Sequence, residues 1–161
     1  MNIGQYTFAE FRDMAAEFHS YPAPGLLIGG YMVELAKRQM PEGTLYEVIV
    51  ETGKCLPDAV QLLTPCSFGN GWMKIVQYGR YALTMFDKHT GQGWRVALNS
   101  DKVTGYPEIR DWFFKLKAKQ DQDTQQLMTE IELAGDSLCS LQKATVSRTF
   151  LHKKGMGAVS R

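Results

Sequence analysis

Cys55, Cys66 and His19 are the side chains best suited to chemistry in this 161-residue sequence. Cys55 follows an apolar, β-branched run and precedes Leu56-Pro57, which opens a short helix. A thiol at a helix N-terminus is more acidic than usual, and so a better nucleophile and metal ligand. Lys54 beside it acts in the same direction, while a small buried apolar group is the plain alternative. His19 stands in a proline-bounded loop just before an apolar helix, whose free N–H groups favour an anion or thiolate nearby. An imidazole there suits metal ligation, general-base work or hydrogen bonding that closes a loop. Cys66 opens the loop Ser67-Phe68-Gly69-Asn70-Gly71, whose N–H groups could meet an anion, though no Walker spacing follows. If residues 56–64 form a straight helix, its rise holds the two thiols roughly 14–16 Å apart. That is too far for a shared metal or disulfide within one chain; a bent helix or a thiol from a second subunit would be needed. Cys139 reads as packing, and His89 and His152 as solvent-facing.

The elements that must position these groups follow from pattern. Thr7 and Glu10 form a capping box, and Phe8, Phe11, Met14, Ala15 and Phe18 recur at helical spacing, which predicts a helix over residues 8–17. Pro22 and Pro24 force an extended loop before a second helix running to about Arg38. That helix is apolar nearly all round as far as Val33 and is expected to be central. Gly29 and Gly30 cost it about 1 kcal/mol each relative to Ala, tolerable where a neighbour packs closely. Residues 46–51 read as a strand and residues 57–64 as a short helix. Three strands over 73–78, 81–87 and 94–98 are expected as an antiparallel meander. Helices are expected over 107–120 and 124–134. The segment 137–161 carries five basic residues and no acidic one, which predicts a core over residues 1–136 followed by a basic tail or docking arm.

Composition bounds the rest. With 18 Lys+Arg against 17 Asp+Glu, the net charge of +1 lacks the electrostatic signature of a nucleic-acid-binding protein. No apolar run is long enough to span a bilayer, and no signal peptide is evident at the N-terminus. Three cysteines are too few for a secreted disulfide scaffold, so a cytoplasmic location is expected.

Three blocks carry a family resemblance: residues 19–25, Glu51-Thr52-Gly53-Lys54-Cys55-Leu56-Pro57-Asp58-Ala59-Val60-Gln61, and Thr64-Pro65-Cys66-Ser67-Phe68-Gly69-Asn70-Gly71. Together they resemble the E-subunit family of formylmethanofuran dehydrogenase, over roughly residues 8–120. The resemblance implies an α+β core that forms homodimers and a cysteine/histidine metal site. Two departures stand out. Where the family's first loop commonly reads Phe-His-Gly-His-x-Cys-Pro-Gly, this chain has Phe18-His19-Ser20-Tyr21-Pro22-Ala23-Pro24-Gly25, so Tyr21 and Ala23 replace a histidine and a cysteine. The paired Cys-x-x-Cys motifs that some members append do not follow Ala134.

The expectation is therefore an α+β fold, an antiparallel meander sheet packed with a buried central helix and flanking helices. A metal site of His19, Cys55 and Cys66 is implied, with zinc favoured by mixed imidazole and thiolate ligands. Asn70 and Lys74 would orient a small substrate or cofactor at its open position. Two alternatives stay open: a non-catalytic accessory protein docking on a larger molybdenum- or tungsten-type oxidoreductase, and a thiol redox protein using Cys55 and Cys66.

Overall fold

Thr7 caps the first helix, α1 (Phe8–His19), and the reciprocal capping box with Glu10 is formed. The helix continues past the expected stop through His19, where Ser20 closes it in the left-handed region at φ 78°. The helix α2 (Pro24–Gln39) starts on Pro24 and is buried along most of its length, as its apolar circumference requires. Its glycines admit neighbours on two sides. A Cβ on Gly30 would come within 2.7 Å of the Phe11 ring of α1, and one on Gly29 within 3.1 Å of Ala59. Ala59 belongs to α3 (Leu56–Leu63), so α2 lies against both short helices.

The coordinates are a computed structural model, and the structure describes residues 1–147. Beyond α3 follow β2 (Met73–Ile75), β3 (Ala82–Asp87), β4 (Gln92–Leu98), α4 (Ser100–Val103), α5 (Pro107–Phe113), α6 (Thr124–Ala134) and β5 (Cys139–Thr145). The strand β1 (Tyr46–Val50) precedes α3. The fold is α+β, with a mixed and mostly antiparallel sheet in the order β2-β1-β3-β4-β5. The expected meander holds for β3 and β4 alone. Strand β1 is inserted between β2 and β3, and β1 pairs β2 in parallel with Val48 opposite Met73. A parallel pair needs a crossover, and α3 supplies it.

Two further expectations change. The segment expected as a tail from Ser137 begins with an edge strand: β5 pairs β4 antiparallel from Leu98↔Cys139 to Gln92↔Thr145. The remainder of that basic segment, with His152, lies outside the described residues. Helix α5 ends at Phe113 rather than near residue 120. Lys115 takes φ 56°, its N–H donates to the Trp112 carbonyl and Leu116 N–H to the Asp111 carbonyl. This is a Schellman stop with lysine where glycine is usual, and it turns the chain back across the molecule. Among the described residues no helix is long and apolar enough to cross a membrane.

The two faces of the sheet differ. Val48 and Val50 join the core under α2, whereas Ile49 packs with Phe86 and Val76 on the other face. Beside that second cluster Arg95 grips Glu51 with two hydrogen bonds, 2.7 Å from Nε and 2.9 Å from Nη2.

Burial pushes the Cys139 thiol and the Tyr46 phenol each up to about 12. Both groups hold their protons more tightly folded than unfolded, so their contribution is complete below about pH 9 and lost as pH rises toward about 12. Urea midpoints are expected to fall between about pH 8 and about pH 10.5, and to fall less in Cys139→Ala.

Candidate functional site

The end of α1, the start of α2 and the start of α3 converge. Asp58, in the first turn of α3, accepts a hydrogen bond from His19 Nδ1 at 2.5 Å. With Nδ1 protonated toward the carboxylate, the Nε2 lone pair faces the other way. There it meets Cys55 Sγ, 3.8 Å distant. The order Asp58–His19–Cys55 thus runs in one line. Asp58 and His19 are each mostly shielded, with side-chain exposures of 29% and 20%.

The backbone at Cys55 is unusual. It has φ 62° and ψ −53°, and the N–H of Leu56 donates to the Lys54 carbonyl at 2.7 Å. This is a γ-turn of the rare, strained kind centred on the thiol-bearing residue. It lifts Cys55 out of the helix it precedes and aims it at His19. Glycine adopts this conformation freely. Cys55→Gly is therefore expected to be more stable than Cys55→Ala by about 1 kcal/mol in urea denaturation, even though both lack the thiol.

Gly25 in the first turn of α2 makes the convergence possible. A Cβ there would lie 2.8 Å from Tyr81 Oη, 3.2 Å from Cys55 Cβ and 3.4 Å from the Trp112 ring. The Tyr81 hydroxyl donates to the Gly25 carbonyl, and the Tyr81 and Trp112 rings meet edge to face at 6.4 Å. On the other side the Tyr21 ring lies 5.4 Å from that of His19, and Lys119 Nζ sits 4.8 Å over Tyr21.

The thiol of Cys55 is raised above its ordinary value, not lowered as its position before a helix suggests. Burial is the main cause and the Asp58 carboxylate the second; Lys119, Lys54 and a hydrogen bond from the Leu26 N–H oppose them. Helix α3 adds little, because it has only eight residues and Pro57 contributes no N–H.

The structure brings His19 and Cys55 together and leaves Cys66 apart. Cys66 is fully buried beyond the far end of α3, its thiol 3.4 Å from the Tyr46 carbonyl. Asn70 is consumed by its own loop: its side-chain oxygen accepts from the N–H groups of Ser67 and Trp72, and its nitrogen donates to the Pro65 carbonyl. Lys74 pairs with Glu47 at 2.5 Å on the face of the sheet away from α2. Neither residue joins the site. Among the described residues no group of three or more His, Cys, Asp or Glu is arranged to hold a metal ion. A groove of about 510 Å³ lies elsewhere, at the C-terminal end of α2 between Met40, Asp87, Trp94 and Lys143, and contains none of these groups.

Sequence reasoning missed Asp58, Tyr81, Trp112 and Lys119. Asp58 carried a usable signal, three residues after Cys55 at a helix start. The others arrive from distant segments.

Comparison with known proteins agrees with this core. The family model described as FmdE, molybdenum formylmethanofuran dehydrogenase operon, matches residues 18–147. The crystal structure of a tungsten formylmethanofuran dehydrogenase E-subunit (FmdE)-like protein from Syntrophus aciditrophicus is 47% identical. It superposes with a TM-score of 0.86, the match covering 93% of this chain and 78% of that one. A probable S-adenosyl-L-methionine-binding protein of Archaeoglobus fulgidus is 32% identical over 100 residues, 57% of this chain but only 27% of that relative's length. Matched over most of its length by the family model and over nearly all of it by a solved relative, the chain belongs to the FmdE family.

Proposed function

We propose that this FmdE protein binds a small molecule at a site built on Cys55 and His19, which together hold a soft divalent metal ion, zinc foremost. The observation that carries this reading is the 3.8 Å separation of Sγ and Nε2 with Asp58 on the opposite ring nitrogen. Zinc bonds of about 2.3 Å to sulfur and about 2.0 Å to nitrogen in tetrahedral array span about 3.6 Å, so the pair fits with a small adjustment. A carboxylate on the second nitrogen of a ligating histidine fixes its tautomer and raises its basicity. The bound ion would supply Lewis acidity and keep the thiol deprotonated.

The chain's own residues do the rest. Asp58 holds His19 in register. Tyr81, Trp112 and the first turn of α2 exclude water from one side of Cys55. Two protein donors leave the remaining coordination to solvent and ligand, which makes the ion exchangeable.

The in-line order Asp58–His19–Cys55 also favours a second reading, a thiol nucleophile served by an oriented imidazole. Metal analysis of the purified chain separates the two. Metal near stoichiometry, removed by chelation and restored by zinc, supports the first. A metal-free chain that does not bind zinc, but whose Cys55 alkylation slows in His19→Ala, leaves the second.

A further inference from the structure

Gly25 has no side chain, and three distant segments crowd the place where one would point. Tyr81 comes from the start of β3, Cys55 from the turn before α3 and Trp112 from α5. One of these contacts is more than packing: the Tyr81 hydroxyl donates to the Gly25 carbonyl. That carbonyl lies in the first turn of α2, where it already accepts within the helix. A carbonyl oxygen has two lone pairs, so the helix forms without the phenol. What the phenol adds is a fixed place for the turn.

Tyr81 is itself held by the sheet. Its carbonyl accepts from Leu98 N–H at 3.0 Å, and on either side of it Arg80 N–H donates to the Glu51 carbonyl at 3.2 Å and Glu51 N–H to the Ala82 carbonyl at 2.9 Å. Its ring meets Trp112 edge to face. The phenol is thus a strut from a rigid sheet, and the start of α2 is the part it places. Only Ser20–Pro24 separate that turn from His19, and within this link Ala23 N–H donates back to the Tyr21 carbonyl at 2.9 Å. Asp58 holds the imidazole from α3. The first turn of α2 holds the other end of the link and abuts Cys55.

We infer that Tyr81 is a positioning residue of the Cys55–His19 site: through the Gly25 carbonyl its hydroxyl holds the start of α2 against Cys55, and so sets the spacing of thiol and imidazole. The inference rests on the site proposed above but not on the metal, because the thiol and imidazole are placed with or without an ion between them.

Two measurements on the full chain test this: cobalt(II) affinity, and the rate of Cys55 alkylation by iodoacetamide after chelation, mapped by mass spectrometry. Tyr81→Phe removes the hydroxyl and keeps the ring. It is expected to lower cobalt affinity by about tenfold and, by loosening the turn that covers Cys55, to raise the alkylation rate by about fivefold. Ile131→Val, in the core of α6 and away from the site, lowers stability without touching the strut and is expected to change neither. Gly25→Ala supplies a second, opposing test. Its methyl would meet the Tyr81 oxygen at 2.8 Å and is expected to speed alkylation in the parent chain. After Tyr81→Phe that oxygen is gone. Cys55 Cβ at 3.2 Å and the Trp112 ring at 3.4 Å then need give only a few tenths of an ångström, and alanine favours the helix. Gly25→Ala is therefore expected to cause no further rise in the Tyr81→Phe background. Alkylation of Tyr81→Phe at the parent rate, an equal rise in Ile131→Val, or a Gly25→Ala rise of the same size in both backgrounds overturns the assignment. A parent chain that binds no cobalt removes the metal reading alone, and the alkylation rates then decide the role of Tyr81.

Discussion

Cys55→Ala is expected to abolish metal binding by the purified chain, and Asp58→Asn to weaken it by about 10- to 100-fold. In the proposed site two donors of the described residues, Cys55 and His19, would hold the ion, so removal of the thiolate would leave a lone imidazole, which would not hold it against a competing chelator. In the proposed site Asp58 would act through His19 and not on the ion itself. Its carboxylate accepts the Nδ1 proton of His19 at 2.5 Å, and asparagine preserves the shape of that contact but not its charge. The effect of Asp58→Asn should therefore fall on affinity rather than on folding, and titration against a chromogenic chelator reads it. Cys66→Ala is the control, expected to leave affinity unchanged because α3 holds that thiol away from the site. Metal retained at full strength in Cys55→Ala would place it somewhere other than between Cys55 and His19.

The second large effect concerns stability. Glu51 is nearly buried, with 7% of its surface exposed, and receives both hydrogen bonds of the Arg95 fork. Glu51→Ala strands a shielded guanidinium without its partner, a change expected to cost about 3 kcal/mol. Replacing both residues by methionine removes the stranded charge and should recover much of the loss. Urea denaturation of the two single variants and the double variant measures this; a loss below about 1 kcal/mol for Glu51→Ala would show that the pair behaves as an ordinary surface bridge. The pair also has a bearing on the site. The Glu51 N–H donates to the Ala82 carbonyl, and the Glu51 carbonyl accepts from Arg80 N–H. Those bonds tie the segment leading to Cys55 to the residues on either side of Tyr81, at the start of β3.

How far the fold was legible depended on the range of the forces that set each element. Helix α2 was clear because its apolar circumference is local information, and so was the capping box of α1. Whether Cys55 and Cys66 share a site was left open: the rise of a straight helix argued against it and the family motif for it, and α3 is that straight helix. The insertion of β1 between β2 and β3 was not legible, because strand order is decided by packing between segments far apart in sequence. Strand β5 was read as tail because Cys139-Ser140-Leu141-Gln142-Lys143-Ala144-Thr145 is polar and lies on an edge, where one face stays in water.

The site shows the same division. His19 and Cys55 were found from residue type, position and family motif. Asp58 lay inside that motif, yet its role appears only when α1 and α3 are seen to converge. Lys119 depends on a helix stopping at Phe113 through a left-handed lysine, a conformation that propensity assigns to glycine. The expectation of a lowered Cys55 thiol weighed the helix end and Lys54 but not burial beneath Tyr81 and Trp112, which is stronger.

Cobalt(II) titration of the full chain tests the central claim most directly, since a thiolate on cobalt produces a charge-transfer absorption that an imidazole or carboxylate alone does not. The predicted result is that band rising to stoichiometric saturation, displaced by zinc, lost in Cys55→Ser and His19→Ala, and intact in Cys66→Ala. Absence of the band in the parent chain, or its persistence without Cys55, would contradict a metal held between Cys55 and His19.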